Sequence, residues 1–139
     1  MNKSASRELA FQLVYSVQIQ KNLEDEQFEL FCQSNEINEE KTKKYIKDVL
    51  NGIKENEEKI EGLISSNLKK GWTIDRISKI DLTLLKIAIY EIIEKKIHYK
   101  IIVNEVVELA KKYSENQSPS FINGVLASII KQNNIANEE

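Results

Sequence analysis

Ser78-Lys79-Ile80-Asp81-Leu82-Thr83-Leu84-Leu85-Lys86-Ile87-Ala88-Ile89-Tyr90-Glu91-Ile92-Ile93 is the stretch that decides the fold. Ser78 and Asp81 have the spacing of a capping box, in which each side chain satisfies a backbone N–H orphaned by the first turn. Behind them the apolar residues fall on every side of a helix. Such a helix is stable only when neighbours cover most of its circumference. The stretch therefore reads as the central helix of an all-α domain, and the rest of the chain must supply its cover.

Downstream, after a connector at Lys95–His98, Val103, Val106, Val107, Ala110 and Tyr113 form a helical stripe. Tyr99–Val103 has strand propensity, but no strand partner is evident elsewhere. The last helix is expected to start with Ser118 as N-cap and Pro119, the only proline, at the first helical position. Phe121, Ile122, Val125, Leu126, Ile129 and Ile130 then pack it.

Upstream, residues 4–19 carry Leu9, Ala10, Leu13, Val14 and Val17 on one face. A second amphipathic stretch, about 25–33, holds Phe28, Leu30 and Phe31. A third begins near Asn38, with Glu39 and Glu40 placed to complement the helix dipole and Tyr45, Ile46, Val49, Leu50 and Ile53 inward. A fourth, about 57–68, turns Ile60, Leu63 and Ile64 inward. Gly71 and Trp72 then mark a break, with Trp72 assigned to the core. About seven helices result.

A chain of 139 residues is one domain by the usual prior. Its 41% apolar and 30% charged residues suit a globular protein, and one proline with four glycines suits long helices. The lone Cys32 excludes an internal disulfide and fits a reducing cytosol. No apolar run approaches the ~18 residues of a membrane span, and no signal-peptide pattern opens the chain, so a cytoplasmic protein with no membrane association is expected. The net charge of −2 lacks the basic excess of a stand-alone duplex binder. Any nucleic-acid function must use a local patch, with help from a partner.

Catalytic chemistry finds little support. His98 is the only histidine and reads as a loop residue, since no base–orienter set can be named around it. Cys32 reads as a small core or boundary residue. Carboxylates pair with lysines at i,i+4, as in Glu39/Lys43 and Glu108/Lys112. The four glycines are scattered, so no phosphate loop exists. An enzyme, a metal site or a cofactor is not expected.

The opening helix offers more. Lys3 and Arg7 share a face that Phe11, Tyr15 and Gln18 continue. Interleaved cations and rings suit an RNA backbone and its bases. Equally, Phe11 and Tyr15 can simply widen the core face, and the residues alone favour that. A second candidate is the turn from Lys111 to Phe121, where Lys111, Lys112 and Tyr113 precede a polar loop and a helix N-terminus, which can hold an anion.

The segment Val103-Asn104-Glu105-Val106-Val107-Glu108-Leu109-Ala110-Lys111-Lys112-Tyr113 resembles one found in the NusB transcription-antitermination family, as does Phe121-Ile122-Asn123-Gly124-Val125-Leu126 at the right separation. Trp72-Thr73-Ile74-Asp75-Arg76-Ile77 and Leu85-Lys86-Ile87-Ala88-Ile89-Tyr90-Glu91 are similar to two further segments. Arg7-Glu8-Leu9-Ala10, Gln12 and Tyr15 match the opening helix. Segments matched in order over nearly the whole chain are specific where one alone would not be.

The resemblance implies two packed helical bundles, here about 1–72 and 73–133 of a single domain 1–133, before a frayed polar tail 134–139. It implies binding of the boxA element of ribosomal RNA leader transcripts, as single-stranded RNA, together with the ribosomal protein NusE. The assembly acts within the RNA polymerase antitermination complex and promotes read-through. The implied RNA surface is Lys3, Arg7, Gln12 and Tyr15 with Lys111, Lys112 and Phe121. The implied partner surface includes Asp81, Lys86 and Tyr90.

Departures from the family pattern bear on RNA affinity. Lys3-Ser4-Ala5-Ser6 stands where several arginines are common, and Ser120 where a cation is. Fewer phosphate contacts mean weaker binding and a flatter salt dependence. His98 replaces a common proline and Ser114 a common glycine. Asn104 and Asn123 are expected as buried polar groups bonding a neighbouring helix, and Gly124 as permitting close helix approach. One alternative is an interaction module on the same scaffold with little RNA affinity. Another is the related domain of certain ribosomal RNA methyltransferases, disfavoured because no methyl-donor domain follows Glu139. A homodimer covering the RNA surface stays open.

Overall fold

The computed structural model describes residues 1–20 and 24–135. Among the described residues seven α-helices run in order: α1 Lys3–Gln20, α2 Glu24–Ser34, α3 Glu40–Glu55, α4 Glu57–Ser65, α5 Lys79–Ile89, α6 Tyr99–Tyr113 and α7 Ser118–Gln132. A 3₁₀ turn spans Ile74–Arg76 and a π turn spans Tyr90–Glu94. No strand occurs among the described residues; Tyr99–Val103 opens α6 instead. Of the tail expected at 134–139, residues 136–139 lie outside the described residues.

The chain divides into two compact units between Glu55 and Asn56, not near Trp72. The reason is α4. It buries Ile60 and Ile64 and packs against α5, α7 and the 3₁₀ turn, so it belongs with the C-terminal helices. Gly71 and Trp72 lie in the connection after α4, inside the second unit.

In the first unit α1 packs on α3 and α2. The core residues are Ala10, Phe11, Leu13 and Val14 from α1, Phe28 and Cys32 from α2, and Ile46, Val49, Leu50 and Ile53 from α3. The buried face of α1 is rotated from the expected one. Ser6, Arg7 and Phe11 are inside, while Leu9 and Val17 are only half-buried. Leu30, expected on a packing face, is 57% exposed.

In the second unit every residue from Asp81 to Ile92 is buried, as a helix apolar all round requires. α4, α6 and α7 supply the cover. Ser78 caps α5, its Oγ accepting from the Asp81 N–H at 3.2 Å. The reciprocal half of the capping box is not made. The Asp81 carboxylate turns instead to the α6–α7 connection, where Ser114 Oγ donates to Oδ1 at 2.7 Å and Ser118 Oγ to Oδ2 at 2.8 Å. Because Ser118 is occupied there, the N-cap of α7 is Gln117, with Pro119 still in the first turn. Beyond Ile89 the helix widens, the Lys95 N–H reaching back five residues to the Tyr90 carbonyl. His98 then caps α6, its Nδ1 accepting from the Lys100 N–H at 3.1 Å.

Candidate nucleic-acid interface

The α6–α7 connection gathers cations, rings and a fixed backbone in one short segment. Lys111 and Lys112, both exposed, end α6. Lys111 Nζ lies 3.5 Å from Glu108, an exposed pair that contributes little stability, and Lys112 sits over the Tyr113 ring at 5.5 Å. The connection is held from beneath. Ser114 and Ser118 each give their single hydroxyl proton to the buried Asp81, with their own oxygens 2.8 Å apart, so its two ends are tied to α5. Two hydroxyls converging on one buried carboxyl group form one of the stronger polar contacts available to a fold.

Phe121 is half-buried in the first turn of α7, and its ring centroid lies 6.1 Å from that of Trp72. Trp72 is not in the core. It is 46% exposed, and the Arg76 guanidinium lies over its ring at 5.3 Å. Sequence reasoning assigns Trp72 to the core and leaves Arg76 without a role. The signal that finds both is Lys69-Lys70-Gly71-Trp72 followed by Arg76, the same mixture of cations and a ring that marked the opening helix.

The opening helix keeps only part of the expected surface. Lys3 is exposed, with Nζ over the Tyr45 ring at 4.2 Å, and Gln12 and Tyr15 are half-buried. Phe11 is buried with its ring 6.2 Å from Tyr15, so it widens the core face. Arg7 is the clear departure: it is 2% exposed and already partnered within the chain. A guanidinium so enclosed is a packing and hydrogen-bonding group, not one offered to phosphates. Arg7→Ala is accordingly expected to lower stability by about 2 kcal/mol, measured by urea unfolding, and to leave the salt dependence of RNA binding unchanged.

The residues expected to meet a protein partner are also inward. Asp81, Lys86 and Tyr90 are all buried. Asp81 is spent on Ser114 and Ser118, and Lys86 Nζ pairs with Glu61 at 2.9 Å. Such groups can shape a partner surface only through the exposed neighbours they hold. Asn104, Asn123 and Gly124 show the opposite reversal. They are exposed; the two amides line an open groove between α6 and α7 with Val103 and Val107, and a Cβ on Gly124 would meet nothing within 4 Å. Gly124 therefore does not mark a tight helix contact.

Burial pushes the Cys32 thiol up, which keeps it protonated and a poor nucleophile. The Thr73 hydroxyl and its own backbone N–H hold Asp75 below the usual carboxylate range. Among the described residues no cluster of His, Cys, Asp and Glu could hold a metal, and no helix is long and apolar enough to cross a membrane.

The sequence pattern of the NusB family matches residues 4–131, all but the ends of the chain. The chain belongs to the NusB family. The transcription antitermination protein NusB of Acetivibrio thermocellus is 43% identical over 132 residues, covering 94% of this chain and 90% of that protein. NusB of T. maritima superposes with a TM-score of 0.85 at 30% identity, over 95% of this chain and 92% of that one. A chain in the crystal structure of a plectonemic RNA supercoil superposes with a TM-score of 0.88 at 27% identity, over 96% and 97%. The all-α class expected from the central helix, and the NusB-like fold that the resemblance implied, are thus the observed ones.

Proposed function

We infer that this chain is a transcription antitermination factor that binds boxA-like single-stranded RNA from ribosomal leader transcripts, together with NusE. The observation that carries this reading is its membership of the NusB family over nearly its full length. The exposed Lys111 and Lys112 beside Phe121 add a physical reason, since they give phosphates two cations and bases a ring on a braced connection. Lys3, Gln12 and Tyr15 on α1 complete the proposed RNA-contacting set, without Arg7.

On this reading the protein works by binding alone, in the cytoplasm, without catalysis or a cofactor. The complex it forms with RNA and NusE joins the RNA polymerase antitermination assembly. Partner recognition uses exposed groups that the buried residues of α5 hold in place, such as Glu61, pinned by Lys86.

One observation favours a second reading. The net charge is −2 and Arg7 is buried, so the chain alone has no basic excess for a backbone. An interaction module that recruits NusE with little RNA affinity of its own has the same fold. A titration of boxA-like RNA at two salt concentrations, with and without NusE, separates the two. Tighter, salt-sensitive binding in the presence of NusE is the expected result. NusE binding to which RNA adds nothing would establish the interaction module instead.

A further inference from the structure

The cluster formed by Trp72, Arg76 and Phe121 has no part in the core of the second unit. Trp72 is the only tryptophan, and leaving 46% of so large a side chain in water forgoes burial worth more than that of most residues. Its position is set by the local backbone. Gly71 adopts φ +89°, which L side chains rarely take, and the Trp72 N–H closes a turn onto the Lys69 carbonyl at 3.0 Å. The ring is therefore held outward by its turn, beside a guanidinium and a second ring.

We propose that Trp72 is a base-stacking subsite for single-stranded RNA, with Arg76 as its phosphate- and base-facing cation and Phe121 as the wall that orients the indole. Single-stranded RNA is recognised where unstacked bases meet aromatic rings and arginine planes, and this cluster presents both. The charge around it fits a polyanion. Lys69, Lys70, Arg76 and Lys79 lie within seven residues of Trp72 and are exposed. The nearby acid, Asp75, is held by the Thr73 hydroxyl and its own backbone N–H. Phe121 links the cluster to the α7 end of the connection that carries Lys111 and Lys112. The rings are 6.1 Å apart and tilted by 36°, so a base does not insert between them but covers the outer indole face.

The inference rests on the RNA-binding reading, and a sole tryptophan makes it directly observable. Single-stranded RNA of mixed sequence is titrated into the wild-type protein, following anisotropy of labelled RNA and tryptophan emission in parallel. Emission is expected to be quenched with the same midpoint as binding. An abasic strand of equal length supplies phosphates without bases and should bind without that quenching. Trp72→Ala is expected to bind RNA roughly tenfold more weakly at an unchanged salt slope, with Trp72→Phe restoring most of the affinity. Circular dichroism of each variant establishes that the helices persist.

RNA that binds with emission unaltered, and equally well to Trp72→Ala, overturns the subsite and leaves the RNA-binding reading intact. No binding of RNA with or without NusE removes both. Emission that responds to NusE and not to RNA makes the cluster a protein contact, which also overturns the proposal.

Discussion

Asp81→Ala is expected to unfold about 3 kcal/mol more easily than the wild type, because the removed carboxylate accepts hydrogen bonds from two hydroxyls in a buried setting. Ser114 and Ser118 still have each other at 2.8 Å, which limits the loss to less than two full charged hydrogen bonds. Asp81→Asn separates charge from geometry. The amide keeps one acceptor, but its NH₂ group then faces a hydroxyl that must turn to accept, so a smaller loss of about 1 kcal/mol is expected. Urea unfolding reads both, with the midpoint moving and the slope unchanged. Ser118→Ala added to Asp81→Ala should cost little more, since the partners act as one unit. The variants also report on function. Asp81 ties down the connection that follows Lys111 and Lys112, so loosening it should weaken RNA binding without changing the salt slope, because no cation is lost. An Asp81→Ala protein within 1 kcal/mol of wild type would mean that the α6–α7 connection is held by other contacts.

The difference between what could and could not be read from the sequence follows from the range of the interactions involved. The central helix was legible because its pattern is local: no side of Leu82–Ile89 is polar enough to face water, and burial on all sides follows. The Ser78 cap was legible for the same reason, with partners three residues apart. The second half of that reading failed because the Asp81 carboxylate found acceptable donors 33 and 37 residues away, and sequence spacing holds no trace of a tertiary hydrogen bond.

The face of α1 was harder. Leu9–Leu13–Val17 and Arg7–Phe11–Val14 are both plausible stripes on a weakly amphipathic helix, and charge alone sends Arg7 outward. Charged groups enter the interior when they are paired, and pairing is a property of the fold. Trp72 was expected in the core, and the turn at Gly71 holds it outward instead. Asn104 and Asn123 were placed inward because apolar residues flank them, although α6 and α7 turn those positions to the open groove. The candidate site was therefore half legible. Lys111, Lys112 and Phe121 were visible as a basic turn before a helix, whereas the exposure of Trp72 and Arg76 required the tertiary structure.

Lys111 and Lys112 together should account for a measurable share of the salt dependence of RNA binding. Each cation that neutralises a phosphate of a single strand steepens the dependence of log K on log salt by about 0.7, so Lys111→Ala/Lys112→Ala should flatten it by about 1.4. At ~0.1 M salt the same counterion-release relation corresponds to about 25-fold weaker binding. Folding should be almost untouched, since the Lys111–Glu108 pair is exposed on both sides and Lys112 is itself exposed, with its Nζ over the Tyr113 ring. Glu108 loses its lysine in the variant and stands uncompensated near the RNA, which pushes the effect up rather than down. The chain as a whole, at net charge −2, exerts no long-range attraction that could mask the change. That makes the comparison with Arg7→Ala informative. Both substitutions remove positive charge, yet only the exposed pair should alter the slope, and only the buried arginine should lower stability. An unchanged slope in the lysine variant would place the phosphate contacts elsewhere and remove the α6–α7 connection from the RNA surface.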